Sequence, residues 1–170
     1  MHVTIQDLQH LKEEHDVFRM QLDVVEAAMD LGTRGGAVLR DLSRELFLKL
    51  RLHVRRESRL AVIVSRRLGR IDAAQLAKFA IEHDAALETL RVIRRSLPPP
   101  NETTLRHLRP ALRMLVSSLR RHMCDQEQLL FPLLHQELAA MEAERAQEPE
   151  RAAQSASYAL ARSFGLISPF

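Results

Sequence analysis

Four histidines and one glutamate occupy core positions in the helical repeats of this sequence. On the first predicted helix, apolar residues recur with gaps that alternate between three and four, and His15 takes one of these positions. The series is Leu8, Leu11, His15, Phe18, Leu22, Val25 and Met29. On the second helix, the same alternation places His53 and Glu57 at successive core positions. Residues four apart share a helix face, so this imidazole and this carboxylate point into the same space.

The third and fourth predicted helices repeat this arrangement. The core series of the third helix is Leu76, Phe79, His83, Leu87 and Leu90. That of the fourth is Leu112, Leu115, Leu119, His122, Gln126, Leu129 and Leu133. Each helix therefore contributes one inward histidine, and the second and fourth helices add a polar residue one turn later.

A bundle core that contains these side chains predicts a bound cation. A single histidine on an apolar helix face is usually a core residue with a hydrogen-bond partner. Four of them at one level leave ring nitrogens without partners, at ~1–3 kcal/mol for each unpaired group, and a buried Glu57 costs more unless it is neutralised. Imidazole and carboxylate together suit Fe, Mn or Zn better than Ca or Mg. A ferritin-type di-iron site is not expected, because none of the eight histidines has a Glu three residues before it.

Acidic residues flank two of these histidines. Glu14 and Asp16 stand on either side of His15. Glu82 and Asp84 do the same for His83. They could accept hydrogen bonds from imidazole N–H groups of the centre, or they could be solvated acids beside a core seam, which are more common.

The limits of the first two helices follow from a cap and from glycines. Thr4, with Asp7 three residues on, predicts the start of the first helix, and Gly32 predicts its end. After a short TRGG turn, the second helix is predicted from Ala37 to Leu68, before a glycine. Connections this short between long helices favour antiparallel neighbours.

The last two helices are delimited by a capping box and by prolines. Asp72 with Gln75 predicts the start of the third helix, and the prolines at 98–100 predict its end. Asn101 is the predicted cap of the fourth helix, which should reach about Glu148.

The predicted fold class is all-α, an up-down-up-down four-helix bundle. The bundle is predicted to span 1–148, with bends or breaks at Pro110 and Pro132. Residues 149–170 are predicted to form a C-terminal tail, either a short packing helix or a loose segment. The composition agrees, because 46% of the 170 residues are hydrophobic but only 4% are aromatic. That balance favours one helical domain over a β-sandwich or barrel.

Several features predict a cytoplasmic protein that does not contact a membrane. No apolar run approaches the ~18 residues that span a bilayer. The N-terminal segment MHVTIQDLQHLKEEH lacks the pattern of a secretory signal. Cys124 is the only cysteine, which excludes an intramolecular disulfide and fits a reducing compartment.

Arginines form two clusters, although the net charge is only +3. The first comprises Arg51, Arg55, Arg56, Arg59, Arg66, Arg67 and Arg70, and the second comprises Arg106, Arg109, Arg113, Arg120 and Arg121. An acidic protein partner could dock there, but solvated helix faces are the commoner interpretation. Nucleic-acid binding is not expected, because no aromatic residues are interleaved for base stacking.

The ordered set of histidines resembles the haemerythrin HHE cation-binding family. That family has a His on its first helix, His-x-x-x-Glu on the second, a His on the third and His-x-x-x-Glu on the fourth. The resemblance covers roughly residues 5–140. The matching elements are His15, the HVRRE segment from His53 to Glu57, His83, and His122 followed by Leu130-Phe131-Pro132. The resemblance implies a four-helix bundle that holds one or two non-haem iron ions.

The match departs at the last ligand. Gln126 stands where the family has its second Glu, and the helical repeat also places Gln126 inward. A neutral amide cannot act as a bridging carboxylate, which weakens a pair of metals or reduces it to one. Glu127 is the alternative ligand, because haemerythrins proper have an Asp five residues after the last His; otherwise Glu127 is a solvated acid. Leu87 replaces a second histidine of the oxygen carriers, so the chain is closer to the wider HHE group.

The resemblance implies a protein that binds or senses dioxygen, nitric oxide or peroxide, or that stores or donates iron. Zn or Mn are alternative occupants. No separate catalytic acid or nucleophile stands out, so a binding or sensing protein is favoured over an enzyme. The other alternative is a metal-poor helical bundle that acts as an interaction or regulatory module through its arginine faces. Either protein would be a monomer or a homodimer.

Overall fold

The structure is a computed structural model that describes residues 3–68, 73–96 and 102–163. The described chain folds into helices α1 (Ile5–Asp30), α2 (Gly36–Leu68), α3 (Ala73–Ser96), α4 (Glu102–Asp125) and α5 (Phe131–Ser163). A 3-10 turn, Gly32–Gly35, joins α1 to α2. A π-helical turn, Gln126–Leu130, joins α4 to α5, so these two helices act as one rod.

The helices pack as a closed ring. α1 and α3 each lie between α2 and α4, and α5 continues the fourth rod against α1 and α2. The predicted all-α, up-down-up-down four-helix bundle is therefore confirmed. Within the described ranges, no helix combines the length and the apolar composition needed to cross a bilayer.

The start of α1 and the turn that follows it have identifiable causes. Thr4 is the N-cap, and its side chain and the Asp7 side chain form a reciprocal capping box, as the sequence predicts. The turn after α1 needs glycine twice. Gly32 adopts a φ of 58°, a backbone conformation that residues other than glycine rarely adopt. A Cβ on Gly35 would lie 1.9 Å from the Ala28 carbonyl oxygen, so this close approach fixes how tightly α2 folds back.

The fourth rod differs from its predicted limits. Pro110 lies inside α4 without ending it, and Pro132 is the second residue of α5, directly after the π turn. The predicted end near Glu148 is wrong, because α5 continues through Pro149 to Ser163. Side chains 146–153 are exposed, so water can bond the carbonyl that a proline leaves free. The division into a bundle of 1–148 and a tail stays a prediction.

Other predicted helix limits lie outside the described residues. They are Gly69, Asp72, the prolines at 98–100 and Asn101.

The core consists of two apolar clusters with a polar layer between them. Phe18, Leu22, Leu50 and Leu119 belong to the first cluster, and Leu11, Leu60, Phe79, Leu130 and Leu134 belong to the second. The polar layer is His15, His53, Glu57, His83, His122 and Gln126, all at most 5% exposed. Among the described residues, Ser43 is the only other buried polar side chain. Burial of the apolar clusters stabilises the fold, whereas burial of the polar layer costs free energy.

The π turn changes which residues of the fourth rod face inward. The predicted core positions Leu129 and Leu133 are wrong, because these side chains are 48% and 37% exposed. Leu130 and Leu134 are buried in their place. The cause is one extra residue in the turn, where the Phe131 N–H bonds the Gln126 carbonyl five residues back. Each later residue therefore occupies the helix face that a regular α-helix would give to the residue before it.

Candidate metal centre

The polar layer brings together one histidine from each of α1 to α4. Nε2 of His15 lies 3.3 Å from Nε2 of His53. Nε2 of His83 lies 2.8 Å from Nε2 of His122. These four residues, called the site histidines below, therefore form two pairs whose Nε2 atoms face each other inside the bundle.

Glu57 lies between the two pairs. Its Oε2 is 3.5 Å from Nε2 of His53 and 3.3 Å from Nε2 of His83. Gln126 Nε2 donates a 2.6 Å hydrogen bond to Glu57 Oε1. Glu57 Oε2 and Gln126 Oε1 are buried without a hydrogen-bond partner. Such oxygens are costly to bury, and a cation bonded to them would offset that cost.

In three of the site histidines, a carboxylate from another helical segment contacts Nδ1, the ring nitrogen that does not face the paired histidine. Nδ1 of His53 lies 2.8 Å from Glu14 of α1. Nδ1 of His122 lies 2.7 Å from Glu82 of α3. Nδ1 of His15 lies 2.8 Å from Glu127 in the π turn. Carboxylates in this position fix the orientation of metal-binding imidazoles and increase their basicity.

A basic side chain accompanies each of these carboxylates. Arg19 donates to both Glu127 oxygens, at 2.7 Å each. Arg56 contacts Glu14, and Lys78 lies 3.6 Å from Glu82. Burial opposes ionisation of Glu127, but its hydrogen bonds with Arg19 and His15 hold its pKa below the ordinary value.

The carboxylates decide which imidazole nitrogen carries the proton. An ionised carboxylate can only accept, so Nδ1 of His15, His53 and His122 must donate. In the neutral rings, Nε2 then carries the lone pair. Two neutral rings in this arrangement point Nε2 lone pairs at each other, and the Nε2 atoms of His15 and His53 lie 3.3 Å apart. A cation bonded to both nitrogens would remove this repulsion.

Burial sets the protonation states that a metal needs. Desolvation, with a smaller contribution from His53, lowers the pKa of His15 to about 4. Desolvation likewise lowers the pKa of His83 to about 4. Burial opposes ionisation of Glu57, but the nearby rings of His53 and His83 and the hydrogen bond from Gln126 outweigh it and hold the pKa of Glu57 below its ordinary value. At neutral pH, His15 and His83 are therefore neutral and Glu57 is charged.

This buried cluster of His and Glu could hold a metal ion. Donor atoms of His53, Glu57 and His83 all lie within 4.8 Å of one another. Metal–imidazole bonds are ~2.0–2.1 Å long, so two Nε2 atoms about 3 Å apart can share one ion. The donor set of imidazole nitrogen and carboxylate or amide oxygen suits Fe, Mn or Zn.

The two alternatives for the last ligand occupy different places. Gln126 is fully buried, and its side chain contacts Glu57 within the layer. Glu127 is about a third exposed and contacts Nδ1 of His15, not Nε2. Cys124 is exposed.

The sequence identifies the flanking acids but does not pair them correctly with histidines. The two glutamates each contact the histidine of a neighbouring helix: Glu14 contacts His53 although it adjoins His15, and Glu82 contacts His122 although it adjoins His83. Asp16 instead pairs with Arg19 at 2.9 Å, and Asp84 is exposed. A residue next to an inward position points toward the adjacent helix, and this is the signal that could have found the pairs.

We expect Glu14→Ala to weaken metal binding about 10–100-fold. The substitution removes the acceptor on Nδ1 of His53, which frees the ring to rotate and to change tautomer, while every proposed ligand remains. Titration calorimetry with Zn²⁺ measures the affinity and the stoichiometry. Glu13→Ala is the matched control, because Glu13 is the exposed neighbour and contacts only His10 among the described residues. Equal affinities for the two variants would contradict a positioning role for Glu14.

We expect the metal-free protein to lose stability as the pH falls from about 6.5 to about 4. His15 and His83 have an ordinary pKa of 6.5 but a folded pKa of about 4, so the unfolded chain binds more protons in this interval. Each histidine contributes ~1.4 kcal/mol per pH unit. Urea unfolding at pH 7 and pH 5 should therefore differ by ~2 kcal/mol or more. Equal stabilities would contradict neutral buried histidines, and the exposed His10→Ala variant should retain the full pH dependence.

Comparison of the chain with protein-family models, with curated proteins and with solved structures gave no match in any of the three.

Proposed function

We propose that this chain is a haemerythrin-like non-haem iron protein. Its ligands are His15, His53, Glu57, His83, His122 and Gln126. The observation that carries the proposal is the placement of the ring nitrogens: carboxylates contact Nδ1 of three site histidines, and the Nε2 atoms converge around Glu57. A cation would bond the Nε2 lone pairs and balance the negative charge of Glu57, so it would stabilise this buried site.

The geometry suits either one ion or two. Each pair of site histidines could share an ion, and Glu57 lies within 3.5 Å of a nitrogen from each pair. Gln126 brings a neutral oxygen where a second carboxylate would neutralise more charge. A second ion should therefore bind more weakly than the first.

The use we propose for the centre is binding or sensing of dioxygen, nitric oxide or peroxide. Bound iron would supply a redox-active position for such a ligand. The chain itself holds the rings and excludes water, since Phe131 stacks on His15 and Phe79 meets the edge of His122. Among the described residues, the buried polar side chains other than Ser43 all belong to the donor set. No buried proton donor is left over for acid–base catalysis there, which favours binding over an enzymatic role.

Metal analysis tests the proposal directly. Protein from cells grown with added iron should contain ~1–2 Fe per chain and show visible absorption that changes when nitric oxide is added. His53→Ala/His122→Ala is the control, because it removes one ligand from each pair. Zn or Mn in place of Fe would retain the site but change its chemistry. A folded wild-type protein with almost no metal would support the alternative, a metal-poor bundle that acts as an interaction module.

A further inference from the structure

A small cavity adjoins the site histidines on the side of the first apolar cluster. Its wall consists of the four rings and five apolar side chains, among them Phe18, Leu119 and Met123. The centre of a water-sized molecule can occupy about 10 Å³ of it, which is room for about one such molecule. The cavity is therefore a small, largely apolar space beside the four rings.

A surface groove between α3 and α4 ends at this cavity. Measured in the same way, its volume is about 220 Å³. The groove is open because small side chains line it, notably Ala85 and Ala86 of α3 and Ser118 of α4. Leu119 and His122 line both the groove and the cavity. One leucine side chain and one imidazole ring thus separate the open groove from the centre.

A second groove, between α1 and α2, is larger but less suitable for an uncharged ligand. Its volume is about 370 Å³. It shares only Phe18 with the cavity, and the edge of that ring packs against His53 at 5.3 Å between ring centroids. Charged side chains surround it, including Lys49 and the Glu14–Arg56 ion pair. A molecule entering there would have to displace Phe18 and cross this charged rim.

We propose that the α3–α4 groove is the access route for a small uncharged diatomic molecule and that Leu119 is its gate. Binding of the molecule at a metal centre rests on the proposed function, whereas the access route rests on the geometry of the groove. The groove is mostly apolar, and Glu82 is the one acidic or basic side chain, histidine aside, that lines it. A neutral diatomic molecule passes such a wall at little cost, whereas an anion would have to leave water and approach a carboxylate. Leu119 lines both the groove and the cavity, so we expect rotation of its side chain to connect them.

Ligand-exchange kinetics of the iron-loaded protein provide the first test. Ala85→Phe and Ser118→Phe narrow the groove from opposite walls and leave every proposed ligand in the chain. Both should lower the association and dissociation rates of nitric oxide by about tenfold, equivalent to ~1.4 kcal/mol in the barrier, and leave its Kd unchanged. Leu119→Ala should raise both rates. Val17→Phe, which narrows the α1–α2 groove, is the matched control and should alter neither rate.

The second test needs no iron. Dissolved dioxygen is paramagnetic, so it accelerates the relaxation of methyl groups that it can reach in the full chain free of paramagnetic metal. The Leu119 methyls should respond more strongly than those of Leu22, which is also buried in the first cluster. The excess at Leu119 should disappear in Ala85→Phe. Equal responses of Leu119 and Leu22 in the wild type would overturn the route.

The two tests separate failure of the route from failure of the proposed function. Wild-type protein that takes up no metal but shows the dioxygen effect at Leu119 refutes the iron function and retains the route. Iron-loaded protein that binds nitric oxide, with unchanged rates in Ala85→Phe and Ser118→Phe, overturns the route. Slower exchange in Val17→Phe alone would also overturn it, because the ligand would then enter between α1 and α2.

Discussion

Glu57→Ala is expected to abolish metal binding and to remove the stabilisation that the metal provides. Glu57 is the only charged donor in the polar layer, and its Oε2 lies between His53 and His83. Without it, a cation would meet only neutral donors in a desolvated space, which is unfavourable. Metal at 100 times its Kd stabilises a folded protein by ~2.7 kcal/mol, so the variant should lose about that much in the presence of metal.

Thermal unfolding with and without a chelator measures this effect. The wild type should unfold at a higher temperature with metal than with chelator, whereas Glu57→Ala should unfold at the same temperature in both. Glu45→Ala is the control on the same helix, because Glu45 is exposed and pairs only with Lys49 among the described charges. A Glu57→Ala protein that kept its full metal content and its metal-dependent shift would refute the assignment of Glu57.

Gln126→Glu is expected to have opposite effects on the two forms of the protein. The Gln126 amide donates to Glu57 across 2.6 Å. A carboxylate in its place would lose that hydrogen bond and bring a second negative charge into a buried site. In the metal-free protein this should cost ~3–5 kcal/mol, as for other unpaired buried charges, unless one of the two carboxyls binds a proton. With metal present, the second anionic donor should raise affinity by tenfold or more.

Stability and metal affinity must therefore be measured on the same preparations. Gln128→Glu is the matched control, because Gln128 lies in the same π turn but is exposed, and it should change neither quantity. Lower metal-free stability together with tighter metal binding in Gln126→Glu is the expected result. Unchanged affinity, combined with loss of a bound ion in Glu127→Ala, would reassign the last ligand to Glu127.

The polar layer explains why these effects should be large. Two apolar clusters enclose it, so bulk water does not solvate an added charge or replace a lost ligand there. The layer therefore behaves as a coupled unit. Removal of one side chain leaves its buried polar neighbours without a partner, which lowers stability.

Local sequence determined the helices and most of their inward faces. The spacing of α1 correctly predicted every buried position from Leu8 to Met29 except Ala28, because a regular helix repeats its faces every 3.6 residues. The same reasoning placed the four histidines and Glu57 inside the bundle. It also identified the Thr4 cap and the glycine turn, which depend only on neighbours in the chain.

Tertiary structure decided the features that depend on contacts between helices. The inward face changes after Gln126 because the π turn adds one residue, which a uniform helical repeat cannot represent. The pairing of Glu14 with His53, and of Glu82 with His122, depends on the rotation and axial offset of adjacent helices. These offsets come from the packing of whole side-chain surfaces. The spacing within one helix thus fixed which side chains point inward, and only the assembled bundle fixed which of them meet.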